Sequence, residues 1–209
     1  MQICLYIYSV KNVFFIASCL LAFCIGSYAQ IFSADGTEKI IDAEKMRFEQ
    51  KQIALKSSNA GSNIDLKYTR ALWQINPAFN HITGCVTHYF KATQNIFNLT
   101  LDLSSVLNVD SVKYHTQIIT HQQLAGDVLQ ITFPSVINFN TLDSISVYYK
   151  GLPPSNGFGS FSIGTHSGVP VQWTLSEPYG AKDWWPCKLS LTDKIDSIDI
   201  IITTPSVYR

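Results

Sequence analysis

The sequence predicts a mainly β protein, built as an antiparallel sandwich or one large open sheet. Three observations predict it. Beyond Asn63, apolar and polar residues alternate through six segments. Turn-forming clusters separate those segments. The one stretch patterned as a helix lies ahead of them all.

Taken in order, residues 1–29 read as a secretory signal. They carry one cation, Lys11, and no acid. The apolar run V-F-F-I-A-S-C-L-L-A-F-C-I follows Lys11. Then comes G-S-Y-A-Q, with Ser27 and Ala29 at the small-residue positions of a cleavage site. The run is shorter than the roughly 18 residues of a membrane span. Cleavage after Ala29 is therefore expected, leaving no span, and the chain is expected to be secreted, periplasmic or at the cell surface. I-A-S-C at residues 16–19 has the form of a lipoprotein box, but the later site fits better.

Residues 30–63 read as a helix and a linker. T-E-K-I-I-D-A-E-K-M-R-F-E-Q-K-Q-I-A-L, residues 37–55, sets Ile40, Ile41, Met46, Phe48 and Ile53 among charges without Gly or Pro, and Thr37 can cap it. K-S-S-N-A-G-S-N then has linker composition. From residue 64 to 209 the chain reads as one β domain. I-D-L-K-Y-T-R-A-L-W-Q-I, I-T-G-C-V-T-H-Y-F, I-F-N-L-T-L-D-L, D-V-L-Q-I-T-F, S-I-S-V-Y-Y and S-I-D-I-I-I-T are its strands. N-P, L-N-V-D, A-G-D and P-P-S-N-G are its turns. Threonine, serine and asparagine supply the wet face that each strand needs.

Composition narrows the chemistry. The chain has 209 residues, formal net charge +0 and 46% apolar residues, a globular rather than a disordered composition. No basic run or stripe suits a nucleic acid. His81, His88, His115, His121 and His166 form no H-E-x-x-H pair and no zinc-finger spacing with cysteine, and read as surface or hydrogen-bonded strand histidines. No G-x-S-x-G elbow occurs. G-F-G-S-F-S-I-G at residues 157–164 lacks the lysine and the following helix of a phosphate loop, and reads as a β-turn region. Asn98-Leu99-Thr100 is a glycosylation acceptor in a eukaryotic host. Signal removal leaves two of five cysteines, Cys85 and Cys187, which either pair in an oxidising compartment or serve as two small buried apolar groups.

One stretch is not strand filler. W-T-L-S-E-P-Y-G-A-K-D-W-W-P-C, residues 173–187, gathers three tryptophans, a glutamate, a lysine and a cysteine. A carboxylate among rings needs a partner, because an unpaired buried charge is costly. For Glu177 the counter-charge is internal, from Lys182 or Arg70, or it comes from a ligand such as a protonated amine.

At this stretch the chain resembles the N-terminal domain of the M1 zinc aminopeptidases, the group of aminopeptidase N. Three pieces carry the resemblance, across about residues 64–209. The paired strands L-K-Y-T-R-A-L-W-Q-I-N-P and I-T-G-C-V-T-H-Y-F, with a glycine early in the second, are the first. The stretch W-T-L-S-E-P-Y-G-A-K-D-W-W-P-C is the second and the most specific. The exit strand D-S-I-D-I-I-I-T-T-P-S-V-Y-R is the third. The resemblance implies a saddle-like β domain packed on a thermolysin-like catalytic domain. It implies a loop whose carboxylate binds the free α-amine at a peptide N-terminus, and Glu177 holds that position. A carboxylate partly dried by rings would grip an ammonium more tightly than one in water. A peptide without a free amine would leave it unpaired, so internal bonds would be rejected. Leu175 stands where many relatives have glutamine, Leu189 where many have aspartate, and Lys182 where arginine is common. The zinc-binding H-E-x-x-H and the G-A-M-E-N-type strand are not in the sequence. Zinc is therefore expected in a catalytic domain missing from this chain, and the chain alone is not expected to hydrolyse peptides. The other function class that fits is a non-catalytic secreted β module for binding or scaffolding.

Overall fold

The computed structural model describes Lys45 and residues 58–154, 160–177, 179–190 and 193–208. The chain divides into two compact units, Met1–Lys51 and Gln52–Arg209. In the first, Lys45 is helical; the signal and the remainder of the expected helix lie outside the described residues.

Among the described residues of the second unit are eleven strands. They are β1 (Ile64–Ile75), β2 (Ile82–Ala92), β3 (Ile96–Asp102), β4 (Leu107–Tyr114), β5 (Gln117–Ile119), β6 (His121–Leu124), β7 (Val128–Ile137), β8 (Leu142–Gly151), β9 (Ser162–His166), β10 (Val169–Trp173) and β11 (Ser197–Thr203). A six-stranded sheet runs β11-β1-β2-β8-β4-β5, a three-stranded sheet runs β3-β7-β6, and β9 and β10 form a separate hairpin. The pairings are antiparallel except that β11 lies parallel to β1. The fold is the mainly β, largely antiparallel one that the alternation predicts.

Side-chain alternation builds the core. On β2, Ile82, Gly84, Val86, His88, Phe90 and Ala92 are buried, while Thr83, Cys85, Thr87, Tyr89 and Lys91 face outward. On β1 a bulge between Leu66 and Tyr68 shifts the parity, so burial passes from Ile64 and Leu66 to Thr69, Ala71 and Trp73. Val86, Phe90, Val112, Ile145 and Val147 of the large sheet join Leu99, Leu101, Leu129, Ile131 and Phe133 of the small sheet in one core. The rings of Phe90 and Phe133, 6.2 Å apart, bridge the two layers. Full burial of each such side chain stabilises the fold by about 1.5–3 kcal/mol.

Two turn expectations are corrected. L-N-V-D at residues 107–110 is the start of β4, not a turn: Leu107 is buried, and Asn108 and Asp110 bond to each other at 2.9 Å on the surface. Ser162 to Gly164, expected in a turn region, begins β9. Polar residues on the wet face of a strand have the composition of a turn, and composition alone does not separate the two.

Gly84 is a close-approach position. A Cβ there would meet the Tyr149 ring at 2.6 Å, because Tyr149 sits directly opposite on β8 and folds across it. This aromatic-on-glycine contact carries the Tyr149 hydroxyl to the segment that follows β10.

Candidate functional site

Residues 173–187 begin at the end of β10 and finish between the two sheets. After Trp173 the chain leaves the hairpin, turns at Glu177, and forms a short 3-10 helix over Gly180–Asp183. The turn is closed twice. Gly180 N–H donates to the Ser176 carbonyl at 2.8 Å, and Trp184 Nε1–H donates to Ser176 Oγ at 2.9 Å. Gly180 is required here: a Cβ would come within 2.5 Å of Ser160 Oγ. Ser160 Oγ in turn donates to the buried Asp183 carboxylate at 2.6 Å.

Beneath the turn lies a floor of rings. Trp73 and Trp184 are 4.6 Å apart between centroids, and Trp185 packs on both at 6.0 and 6.1 Å. The Trp184 carbonyl accepts the Tyr149 hydroxyl at 2.8 Å, and that hydroxyl accepts Trp73 Nε1–H at 3.0 Å. Burial pushes the Tyr149 phenol far above its ordinary range, which keeps it a donor. His88 Nε2 lies 3.0 Å from the Pro186 carbonyl, and Nδ1 lies 2.9 Å from Thr69 Oγ1. A carbonyl only accepts, so Nε2 carries the hydrogen and Nδ1 takes the Thr69 hydroxyl proton. Burial, against a smaller opposing pull from the Pro186 carbonyl, lowers the His88 pKa to about 4, so the ring is neutral. At the far end Cys187 pairs with Asp102 through two backbone bonds of 2.7 and 2.9 Å.

The sequence-derived residues now have positions. Glu177 is exposed at the turn, and among the described residues no hydrogen bond or ion pair engages it. The expectation that rings would dry it is corrected. Trp184 and Trp185 pack inward on Trp73, and the Trp173 ring lies over Gly164, so adjacency in sequence does not become a ring of aromatics around the carboxylate. Neither candidate internal partner reaches it. Lys182 is paired with Asp127 at 2.8 Å, and Arg70 is in register with Asp199 of β11. Burial works against the Asp127 carboxylate, yet its bonds from Lys182 and Ser105 hold its pKa below the ordinary value.

Cys85 and Cys187 are both free thiols, so the disulfide that two cysteines allow is not formed. Strand parity explains this. Cys85 alternates with the core-facing Gly84 and Val86 and so projects from the outer face of β2, while Cys187 is buried beside Asp102 on the inner side. Burial, with the nearby Asp102 charge, pushes the Cys187 thiol well up. Among the described residues no group of three or more His, Cys, Asp or Glu is placed to hold a metal ion. Zinc therefore has no ligand set in these residues. The sequence reading missed Tyr149, His88 and Trp73 as supports of the loop; the glycine opposite Tyr149 was the only local signal.

No protein-family model matches the chain, and no curated protein matches it. Solved structures do match. A two-domain M1 zinc metallopeptidase mutant bound to L-arginine aligns with TM-score 0.61 at 20% identity, covering 71% of this chain and 34% of that one. The M1 zinc metallopeptidase from Deinococcus radiodurans aligns with TM-score 0.60 at 20% identity, covering 70% and 34%. A mutant of it bound to a Tyr-Ser-Ala substrate aligns with TM-score 0.59 at 21% identity, with coverage of 70% and 34%. The chain thus spans about a third of the length of these structures. The β fold described above is one shared with the M1 zinc metallopeptidases.

Proposed function

We propose that residues 64–209 are the N-terminal, substrate-amine-recognising domain of a secreted M1-type zinc aminopeptidase. In this reading Glu177 receives the ammonium of a peptide N-terminus. The zinc and the water-activating groups belong to a separate catalytic domain, outside residues 64–209. The carrying observation is a carboxylate with no partner among the described residues, held in a turn that is fastened at Ser176, Gly180 and Trp184. A fixed, unpaired acceptor costs little to reorganise when a cation arrives. Exposure in this chain is compatible with that role if the catalytic domain supplies the second wall of the cleft and dries the pair there.

The surface also favours the two-domain reading over a free-standing module. Every residue of β11 is exposed, including Ile198, Ile200, Ile201 and Ile202. A self-sufficient secreted domain rarely leaves an apolar edge strand uncovered, whereas a domain that packs on more protein does.

The test is a titration of the isotopically labelled chain, followed by NMR, with a free-amine tripeptide and with its N-acetylated form. The expected result is shifts in the amides of Ser176, Glu177 and Gly180 with the free amine and none there with the acetylated peptide. Equal shifts from both peptides, or shifts confined to another surface, overturn the proposal.

A further inference from the structure

We propose that His88 is a pH-sensitive latch on the loop that carries Glu177, a positioning residue whose functional consequence rests on the amine-binding reading above. His88 has no exposed surface and joins two elements. Through Thr69 it is bound to β1, and through the Pro186 carbonyl it holds the segment that covers it. The Trp185 ring stacks on the imidazole at 6.3 Å with an interplanar angle of 28°. Its register partner on β8 is Ile145. None of Thr69, Ile145, Trp185 and Pro186 titrates. Burial is the larger influence on its proton affinity and the Pro186 carbonyl the smaller, opposing one, and among the described residues no carboxylate contributes.

A proton added at Nδ1 therefore creates a buried charge with no counter-ion among the described residues, which is costly. The ring must reach water. On one side stands β2, hydrogen-bonded along both edges to β1 and β8. On the other stands the short irregular run Trp185, Pro186 and Cys187. The irregular run is the cheaper one to lift, since only the isolated Asp102–Cys187 bridge ties its backbone to a sheet, against the continuous ladders on both edges of β2. Lifting it draws on Trp184, whose Nε1–H fastens Ser176, the residue before Glu177. Acid thus loosens the turn that holds the carboxylate before it unfolds the sheet.

The experiment is hydrogen exchange with mass spectrometry on the full chain between pH 7 and pH 4, corrected for the intrinsic pH dependence of exchange. Peptides within residues 173–187 are expected to lose protection as pH falls from about 6.5 towards about 4, while β8 peptides stay protected. His88→Gln keeps an N–H for the Pro186 carbonyl and cannot take the charge, so its loop is expected to stay closed across the range. Loss of protection only together with β8, no loss down to pH 4, or the same opening in His88→Gln overturns the latch. Should His88→Gln fail to fold, the contrast between loop and β8 in the unaltered chain decides. The readout uses no peptide. An opening loop without amine binding removes the functional reading and leaves the latch standing.

Discussion

Replacing Gly84 by alanine probes the link between the β1–β2 hairpin and the candidate loop. The added Cβ would lie 2.6 Å from Tyr149 Cε1, 2.7 Å from Cζ and 2.8 Å from the hydroxyl oxygen. Tyr149 is 1% exposed, so its ring has nowhere to swing without disturbing the core. Overpacking of this kind costs about 1–3 kcal/mol. A displaced ring also strains the bonds from Trp73 Nε1 and to the Trp184 carbonyl, each worth about 1 kcal/mol net. Alanine recovers roughly 0.5–1 kcal/mol over glycine in a strand. The net expectation is a loss of about 2–4 kcal/mol. Urea unfolding followed by tryptophan fluorescence measures it, and near-UV circular dichroism reports the tryptophan cluster directly. Combining the change with Tyr149→Phe should cost less than the sum of the two singles, since both act on one hydroxyl. A loss below about 1 kcal/mol with an unchanged near-UV spectrum would refute the packing argument.

Three further outcomes are expected. His88 has a folded pKa of about 4 against 6.5 for the free side chain, so below pH 6.5 the unfolded chain binds the extra proton. Its contribution is complete above pH 6.5 and is lost as pH falls towards 4, by roughly 3 kcal/mol, and a His88→Gln chain should lack that slope in urea melts. Thiol labelling under native conditions should modify Cys85 faster than the buried Cys187, and both should label once the chain unfolds; a mass two hydrogens lighter, from a disulfide, would contradict the free thiols. Ile200→Lys on β11 should reduce hydrophobic-dye binding and concentration-dependent association without lowering the melting temperature, because Ile200 is 54% exposed; unchanged dye binding would show that the strand is not the sticky surface.

Much of the fold is legible in the sequence because alternation is a local signal. S-I-D-I-I-I-T is β11 over its full length, and I-D-L-K-Y-T-R-A-L-W-Q-I is β1. The bulge at Leu66 and Tyr68 is not legible, because it changes parity without changing composition. The parallel pairing of β1 with β11 joins residues more than a hundred positions apart, and no local pattern encodes it. Strands as short as β5, at three residues, and β6, at four, offer too few alternations to be seen. The candidate site was legible in a different way. Glu177 stood out through the company it keeps in the sequence and through resemblance, yet its exposure depends on where Trp173, Trp184 and Trp185 turn. Those directions are set by Gly164, Trp73 and Tyr149, which lie on other strands. The same holds for Cys85, whose separation from Cys187 follows from strand parity rather than from spacing.

The central claim is that the Glu177 carboxylate binds a peptide ammonium. Its most direct test is the ratio of dissociation constants for a free-amine tripeptide and its N-acetylated form, measured on the chain and on Glu177→Gln. An exposed ion pair contributes about 0.2–1 kcal/mol, so the unaltered chain should favour the free amine by up to about fivefold. In Glu177→Gln the two peptides should bind alike. An unchanged preference for the free amine in Glu177→Gln would place amine recognition elsewhere and contradict the account.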